Sequence, residues 1–454
     1  MKPFLIREAA AATGGTYTGP EDMLDTAVTC VTTDSRKVQE GALFAAIRGE
    51  RSDGHDYIVQ SYASGAVLCI GEKDAPDDAR PYIRVESTMK ALAQLAGWYR
   101  GRFDIPVVGI TGSVGKTTTK EMVWSVLSQK FRTHKTQMNF NNELGVPLTL
   151  LSMPEDSEAA VIEMGISGFG EMTRLRNIVR PTIALISIIG DSHLEFLGSR
   201  EGVLKAKAEI FRDMTQQELA VLNGDDELLA AYDPGIPTVR YGLGAEREVR
   251  AEQVSSENGS DVSCMIRYDD ESFNVTIPGY GIHMVYAALA ATAVGRALGM
   301  SAEQIRQGIE RFETVGRRSS ILRTDALTII DDCYNANPSS TKAMLRSLAL
   351  TKGRKVCILG DMLELGEQSD LLHEEVGREA AAQKIDLVVA CGTQAKHLYD
   401  GAVSAGACAI WYPDRDTLIP QLKELIRKGD TVLVKASHSC RFELITEQLK
   451  ELVF

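Results

Sequence analysis

Short apolar runs alternate with helix-like stretches along most of the chain. A clear helix pattern lies at 282–298, and another lies at 88–99. Strands that alternate with helices typically form parallel βαβ units. The apolar runs that predict strands lie at 106–110, 159–163, 183–189 and 219–222, and again at 327–331, 356–359, 387–390 and 432–435. The pattern therefore predicts an α/β fold with two regions of this kind.

The remaining stretches predict a smaller domain and an antiparallel edge. Strand-like runs at 41–47 and 66–70 stand among turn residues, as in a small mixed α/β domain. The polar, strand-rich stretch at 238–277 predicts an antiparallel edge. With about 150 residues per domain, a chain of 454 residues is expected to form three domains. We place them at 1–86, 87–316 and 317–454, with hinges near 86–105 and 313–320.

Composition and charge exclude several classes of protein. The 62 acidic residues outnumber the 49 basic ones and give a net charge of −13, which argues against a general binder of nucleic acid or membrane surfaces. No stretch approaches the roughly 20 apolar residues of a membrane span, and the N-terminus lacks the apolar region of a signal peptide. The eight cysteines are scattered singly, so neither a disulfide framework nor a zinc site is indicated. We expect a soluble, cytoplasmic protein.

A glycine-rich loop within 106–120, PVVGITGSVGKTTTK, follows an apolar strand and precedes a helix. Backbone N–H groups without a Cβ obstruction, a helix N-terminus, a lysine and a hydroxyl are what a phosphate with its Mg²⁺ requires. The strict GxxxxGK[ST] pattern needs glycine where this chain has Ile110, so the match is to a shortened GxxGKT form. The alternative is a glycine turn that happens to precede Lys-Thr, and the flanking context argues against it. The predicted nucleotide-binding residues are Gly112, Ser113, Gly115, Lys116, Thr117 and Thr118.

Two residues near strand ends are candidate metal ligands. Glu163 ends the apolar run at 159–163, and His193 follows the run at 183–189. Ligand residues commonly stand at such positions in open α/β sheets. Taken singly, however, a carboxylate at a strand end is usually just solvated, and a lone histidine in a loop usually has no special role.

A lysine lies within an apolar stripe of the predicted helix at 201–214. Val203, Lys207, Ile210 and Met214 share one helix face, whereas Lys205 points about 200° away and should face solvent. Burial lowers the pKa of an amine and makes it neutral and nucleophilic. Alternatively, the stem of Lys207 packs on the stripe while its ammonium reaches water, and periodicity alone favours this second interpretation.

In combination, these segments resemble the ATP-dependent Mur ligases of peptidoglycan synthesis. The resemblance rests first on GITGSVGKTTTKE, TQMNFNNELGVPLTLL, VIEMGISGFGEM and SHLEFLGSREGVLKAKAEIF. DDCYNANPSS at 331–340, ILGDMLELG at 358–366 and His373 are similar to the branch of the family that adds D-alanyl-D-alanine. TDSRKVQEGALFAAIRGERSDGHDYI at 33–58 is similar to the family's UDP-binding domain. Long motifs in this order extend over nearly the whole chain.

The resemblance implies a UDP-sugar-binding domain, a central P-loop ATPase with a parallel sheet, and a Rossmann-like C-terminal domain. It implies that ATP activates UDP-N-acetylmuramoyl-tripeptide as an acyl phosphate, which then forms an amide bond with D-alanyl-D-alanine. ATP and Mg²⁺ are the implied cofactors, together with a carbamylated Lys207. The implied partners are these small molecules, without nucleic acid or a membrane span, and a monomer is expected. Lysine and diaminopimelate both remain open as the third residue of the tripeptide.

The resemblance also implies roles for matching residues. The catalytic residues would be Lys116, Lys207 and His193, and the Mg²⁺ ligands would be Thr117, Glu163, His193 and Lys207. ATP would be bound by the phosphate loop together with His283, Asp332, Asn335 and Asn337, and the UDP-substrate by Ser35, Arg36, Asn141 and Asn142. Without the resemblance, the DSR, NFNN and NANP segments that supply many of these residues are ordinary loops and turns.

Two short segments depart from the family's pattern. Met284 and Ala287 stand where the family has asparagines near the nucleotide, so a polar contact in the adenine pocket is expected to be missing. KASH at 435–438 replaces KGSR and puts His438 in place of an arginine, which is expected to weaken the grip on an anionic substrate. Neither change touches the phosphate or metal groups, so we expect activity to survive.

Three other functions compete with this interpretation. A folylpolyglutamate synthetase-like ligase would share the phosphate loop and the carbamate lysine, but the DSRKV and DDCYNANP segments argue against it. A catalytically silent nucleotide-binding scaffold would fit the presence of Ala287, but such a protein need not keep the whole predicted phosphate and metal set. A P-loop GTPase would need an NKxD-type guanine motif, which the chain lacks.

Overall fold

The computed structural model describes residues 1–49, 52–76, 79–256, 261–314, 316 and 319–454. Over these residues the strands form four sheets, accompanied by helices, and the predicted α/β class is confirmed. The predicted hinge at 313–320 includes residues 315, 317 and 318, which lie outside the described residues, as do residues 50 and 51 of the N-terminal motif. The three domain boundaries stay predictions.

A small mixed sheet forms the N-terminal part of the chain. The strands are β1 (Phe4–Leu5), β2 (Thr16–Thr18), β3 (Ala27–Val28), β4 (Cys30–Thr32), β5 (Ala42–Ala45), β6 (Ala66–Gly71) and β7 (Tyr82–Arg84), and the helices are α1 (Ile6–Thr13) and α2 (Ile58–Ala63). Among the described residues the order is β2-β7-β6-β5-β4, and β1 pairs with β3 separately. The predicted strands at 41–47 and 66–70 are confirmed as β5 and β6, whose side chains are nearly all buried.

The central part contains a larger sheet. Its strands are β8 (Val107–Thr111), β9 (Thr133–Lys135), β10 (Ala159–Glu163), β11 (Ile183–Ile186), β12 (Leu219–Asn223), β13 (Thr238–Gly242), β14 (Val249–Ser255), β15 (Asp261–Tyr268) and β16 (Glu271–Pro278). In the described ranges the order is β16-β15-β14-β13-β12-β11-β8-β10-β9. The pairs β14–β15 and β15–β16 are antiparallel and the others are parallel. This confirms the predicted antiparallel edge, except that β13 at its start is parallel.

Helices and loops place the functional residues around β8. The helices are α3 (Thr88–Arg100), α4 (Lys116–Leu127), α5 (Gly145–Leu151), α6 (Glu171–Val179), α7 (Leu194–Leu197), α8 (Arg200–Ala208), α9 (Glu227–Ala231), α10 (His283–Ala297) and α11 (Ala302–Glu310). Because β10 and β11 lie on opposite sides of β8, the strand order reverses there. Ligands bind at such a reversal, in the crevice at the carboxyl ends of the strands.

A second parallel sheet forms the C-terminal part. Its strands are β17 (Ser320–Arg323), β18 (Thr328–Asp331), β19 (Lys355–Gly360), β20 (Leu387–Cys391), β21 (Ala409–Tyr412) and β22 (Thr431–Lys435). Its helices are α12 (Pro338–Ala349), α13 (Ser369–Ala382), α14 (Ala395–Ser404), α15 (Arg415–Leu418), α16 (Leu422–Leu425) and α17 (Glu443–Lys450). In the described residues the order is β17-β18-β22-β19-β20-β21, and β17 alone is antiparallel to its neighbour.

A long and strongly apolar helix, α10, lies inside the central part. Its sequence HMVYAALAATAVGRA is apolar nearly all round, and most of its residues are buried against α4, α11 and the sheet. Such a pattern is typical of a helix enclosed by a core. Among the described residues, no helix combines the length and the apolar character needed to cross a bilayer.

Candidate active site

The predicted phosphate loop joins β8 to α4 and is held in shape by its glycines. Gly112 and Gly115 have φ angles of +149° and +80°, which side chains rarely adopt, and a Cβ on Gly112 would lie 2.0 Å from Ser187 Oγ. Ser187 Oγ donates a hydrogen bond of 2.6 Å to the Val114 carbonyl. Lys116 Nζ donates one of 2.7 Å to the Gly112 carbonyl, so the lysine amine lies directly over the loop.

Glu163 lies at the carboxyl end of β10 beside this loop, and it is 1% exposed. One carboxylate oxygen accepts a 2.8 Å hydrogen bond from Thr117 Oγ1 and the other accepts a 2.8 Å hydrogen bond from Asn141 Nδ2. The buried Lys120 Nζ lies 3.7 Å from the first oxygen. A carboxylate and a hydroxyl this close supply oxygen ligands of the kind that Mg²⁺ prefers. No group of three or more His, Cys, Asp or Glu side chains arranged for a metal occurs among the described residues, so phosphate oxygens and water would complete such a site.

Lys207 and Lys205 differ sharply in exposure, as the helical pattern predicts. Lys207 on α8 is 1% exposed, and among the described residues its ammonium has no hydrogen bond or ion pair. Burial lowers the pKa of Lys207 well below its ordinary range, and the positive charge of Lys116 lowers it further, whereas Glu171 opposes this. Lys205 is exposed, with its ammonium 5.9 Å from the centre of the Phe169 ring. The interpretation that the Lys207 ammonium reaches water is therefore wrong, because the whole side chain is enclosed.

His193 lies at the start of α7 in a left-handed backbone conformation, with φ of +57°. Its Nδ1 lies 2.6 Å from an oxygen of Glu364, which belongs to the loop after β19 in the C-terminal part. The angles of this contact fall outside those of a good hydrogen bond, and it is an ion pair only when the imidazole is protonated. Burial lowers the pKa of His193, and the charges of Lys207 and Lys116 add to this effect, whereas Glu364 opposes it.

The C-terminal part contributes a buried ion pair to the same region. Lys435 at the end of β22 lies with its Nζ 2.6 Å from Asp332 Oδ2, and it also donates a 2.8 Å hydrogen bond to the Asn335 carbonyl. Asn337 caps α12 by accepting a 2.8 Å hydrogen bond from Ser340 N. Its Nδ2 donates a 3.1 Å hydrogen bond to Ser192 Oγ of the central part. Asn337 therefore both caps α12 and connects the C-terminal part to the central part.

Many of these groups line one cavity of about 410 Å³, to which both the central and the C-terminal parts contribute residues. The predicted site residues that line it are Ser113, Gly115, Lys116, Thr118, Asn141, Asn142, Glu163, His193, His283, Asp332, Asn335 and Asn337. Gly112, Thr117 and Lys207 do not line it. The sequence singled out neither Tyr334 nor Ser319, which also line it, and it mentioned Lys435 only as part of KASH. In the sequence, only the position of Lys435 at the end of a predicted strand could have marked it as a site residue.

The residues predicted to bind the UDP-substrate are not brought together. Ser35 and Arg36 line a second cavity of about 660 Å³ in the N-terminal part, whereas Asn141 and Asn142 line the first cavity. Leu144, from the same loop as Asn142, lines the second cavity. Arg36 holds Asp34 with two contacts of 2.8 Å and lowers the pKa of that carboxyl to about 2.

The two departures from the family's pattern have different surroundings. Met284 and Ala287 are 1% and 3% exposed and belong to the hydrophobic core, so neither lines the first cavity. His283 does line it, and burial lowers the pKa of this histidine, an effect that Asp332 opposes and Lys435 increases. His438 is exposed, with its ring centre 5.6 Å from that of Tyr334.

Three family profiles match the chain in succession. They are the Mur ligase family, catalytic domain at 27–100, the Mur ligase middle domain at 110–295, and the Mur ligase, glutamate ligase domain at 310–438. The chain is 37% identical over 455 residues to the UDP-N-acetylmuramoyl-tripeptide–D-alanyl-D-alanine ligase of Bacillus subtilis (strain 168), and 98% of each chain is covered.

Solved structures with similar sequences share the whole fold. MurF from Acinetobacter baumannii is 32% identical, with a TM-score of 0.92 and 100% of both chains covered. MurF ligase from Thermotoga maritima in complex with ADP is 30% identical, with a TM-score of 0.83, and the match covers 93% of this chain and 97% of that one.

Proposed function

The chain belongs to the Mur ligase family, and from this premise we propose that it joins the amine of D-alanyl-D-alanine to the peptide carboxylate of UDP-N-acetylmuramoyl-tripeptide while ATP is converted to ADP. The similar protein of B. subtilis is named for this activity, and the similar T. maritima structure is a complex with ADP. The observation that carries the proposal is the cavity in which the phosphate loop and Glu163 face the Asp332–Lys435 pair. It supports the proposal because ATP would lie at the phosphate loop and the other substrates would meet the polar residues on the opposite side.

The charges in this cavity suit an acyl-phosphate reaction. The peptide carboxylate attacks the γ-phosphate of ATP, which gives an acyl phosphate and ADP, and the dipeptide amine then attacks the acyl carbon and displaces phosphate. Two anions must approach in the first step, so positive charge is required there. Lys116 supplies it at the loop, and the N-terminus of α4 adds its backbone N–H groups.

A divalent cation fits the oxygen ligands beside the loop. Bound Mg²⁺ would neutralise charge on the phosphate oxygens. Thr117 and Glu163 would hold it, and Asn141 would orient Glu163 through the hydrogen bond between them. His193 would supply a further ligand from the loop before α7.

We also propose that Lys207 is carbamylated. Its neutral amine would attack the carbon of CO₂ and lose a proton, leaving a carbamate with two oxygens and one negative charge. The enclosed position and lowered pKa of Lys207 support this, because the amine lone pair is then available. The carbamate would replace a buried neutral amine near Lys116 with two oxygen ligands for a second Mg²⁺.

The two cavities suggest how the larger substrate lies. Ser35 and Arg36 would bind the UDP end in the N-terminal cavity, and the tripeptide would pass the loop at 141–144 to reach the phosphate loop. Asp332, Asn335 and Asn337 would line the ATP and amino-acceptor side. The proposal includes three domains at 1–86, 87–316 and 317–454, a monomer, and peptidoglycan precursor synthesis in the cytoplasm.

An assay of ADP release tests the proposed reaction. We expect ADP release only when ATP, Mg²⁺, UDP-N-acetylmuramoyl-tripeptide and D-alanyl-D-alanine are all present, with mass spectrometry showing a product larger by the dipeptide minus water. Tripeptides with lysine and with diaminopimelate at the third position would be compared. The proposal would be overturned if ADP were released equally well without the dipeptide, or if neither tripeptide gave the joined product.

A further inference from the structure

One contact between a histidine and a carboxylate connects the metal side of the cavity to the C-terminal part of the chain. His193 Nδ1 belongs to the central part, and the Glu364 oxygen 2.6 Å away belongs to the loop after β19. A ring nitrogen and a carboxylate oxygen at this distance would repel each other unless the nitrogen carried a proton. Nδ1 therefore carries the proton, and in the neutral ring the lone pair is on Nε2. His193 lines the cavity, so this pair determines which nitrogen can bind a ligand there.

The loop that carries Glu364 is fixed to the C-terminal part. Met362 N donates a 3.0 Å hydrogen bond to Nε2 of the buried His373, and Leu363 N donates one of 3.0 Å to Ser437 Oγ. The His373 Nδ1 lies 2.7 Å from the Ser369 carbonyl, which sets the tautomer that leaves Nε2 as the acceptor. Glu364 must therefore move together with the C-terminal sheet.

The backbone of the same loop also packs on the central part. Glu195 N donates a 3.4 Å hydrogen bond to the Glu364 carbonyl, and a Cβ on Gly366 would lie 3.2 Å from Glu195 Cα. His193 and Glu364 both have left-handed backbone conformations, with φ of +57° and +63°. Two such conformations at one close contact indicate that the packing between the two parts holds both side chains in place.

We propose that Glu364 is a positioning residue that orients the His193 ring from the C-terminal part, so that the metal side of the cavity is complete only when the two parts are docked. A carboxylate on one ring nitrogen fixes the ring and makes the other nitrogen a better ligand. The inference rests on the proposed function in one respect, the assignment of His193 as a metal ligand. It adds a residue that links the docking of the two parts to metal affinity.

Metal binding tests this directly, without turnover. The affinity for Mn²⁺, with ADP bound, would be measured by electron paramagnetic resonance for the wild type and for E364Q, which keeps the shape but removes the charge. We expect E364Q to bind Mn²⁺ about 10-fold more weakly, the lower end of the effect of groups behind a metal ligand. E364D, which keeps the charge, should retain more affinity than E364Q. The exposed Glu367 in the same loop gives the matched control, and E367Q should bind Mn²⁺ like the wild type.

A double variant shows whether Glu364 acts through His193. Two changes that act on one interaction are not additive. We therefore expect E364Q combined with H193A to bind Mn²⁺ no more weakly than H193A alone. Wild-type Mn²⁺ affinity in E364Q, or full additivity in the double variant, would overturn the inference. If no amide product forms while the Mn²⁺ results are as expected, the proposed function fails and the role of Glu364 stands.

Discussion

Lys207 and Lys205 are two residues apart on one helix, and only Lys207 is enclosed. We expect K207A to lose at least about 100-fold in turnover, since even groups behind a metal ligand contribute 10–100-fold. K205A, on the exposed face, should be close to wild type in the same ADP-release assay. A short carboxylic acid in excess should partly restore K207A by replacing the carbamate oxygens. Full activity of K207A in CO₂-depleted buffer would contradict the assignment.

The lowered pKa of Lys207 also makes a prediction about stability. In the unfolded chain its pKa returns to about 10.5, so between the folded and unfolded values the unfolded chain binds one more proton. The free energy of unfolding therefore rises with pH in that window, by about 1.4 kcal/mol per pH unit from this group. The methionine in K207M cannot titrate. The free energy of unfolding of K207M should therefore increase relative to that of the wild type as the pH falls.

Urea unfolding of wild type and K207M in CO₂-depleted buffer, between about pH 7 and pH 9, measures this difference. K205M provides the control, because Lys205 is exposed and its replacement should leave the pH dependence unchanged. A difference between wild type and K207M that is independent of pH would show that Lys207 is not buried as a neutral amine.

The sequence pattern predicts which face of a helix a residue occupies, but not how deeply that face is buried. The helical period placed Lys207 on the inner face and Lys205 on the outer face, and the structure agrees. It could not say how deep the inner face lies, because depth depends on what packs over the helix. Periodicity therefore predicted the correct face for Lys207, but it wrongly favoured an ammonium in water over an enclosed amine.

At the level of elements, the phosphate loop was predictable because strand, loop and helix are adjacent in the chain. The Asp332–Lys435 pair was not, since its members are 103 residues apart and meet only because β18 and β22 are neighbours in the sheet. The NANP segment includes both a local feature that the sequence predicts and a contact with a distant residue that it does not. Its asparagine and proline predict a turn, and the structure makes them the cap and first residue of α12, but the contact from Asn337 to Ser192 required the fold.

The two roles of Asn337 can be separated by substitution. N337A removes the cap of α12 and should lower the free energy of unfolding by about 1 kcal/mol. N337D keeps an oxygen for Ser340 N and should unfold like the wild type, but it lacks the amide that donates to Ser192. Both variants should therefore turn over more slowly, and only N337A should be less stable in urea. Equal stability of the two variants would exclude the capping role.

Across the whole molecule, one loop connects the two cavities. Asn141 and Asn142 line the cavity at the phosphate loop, and Leu144 lines the cavity that holds Ser35 and Arg36. The resemblance placed all four polar residues on one substrate, and the structure divides them between two places. A substrate with a nucleotide at one end and a peptide carboxylate at the other would account for this division, because its two ends would lie in different cavities.

The division predicts that the two cavities can be altered independently. R36A removes a charged donor from the N-terminal cavity, and the loss of one hydrogen bond to a charged group costs about 1.5 kcal/mol or more, which is at least about 10-fold in affinity. We expect calorimetry to show this loss for UDP-N-acetylmuramoyl-tripeptide and an unchanged affinity for ADP, since the two cavities share no lining residue among those described. K37A, exposed and outside the cavity, should change neither affinity. If R36A instead weakens ADP and spares the UDP-substrate, the N-terminal cavity does not bind the UDP end, and the substrate must reach the phosphate loop by another path.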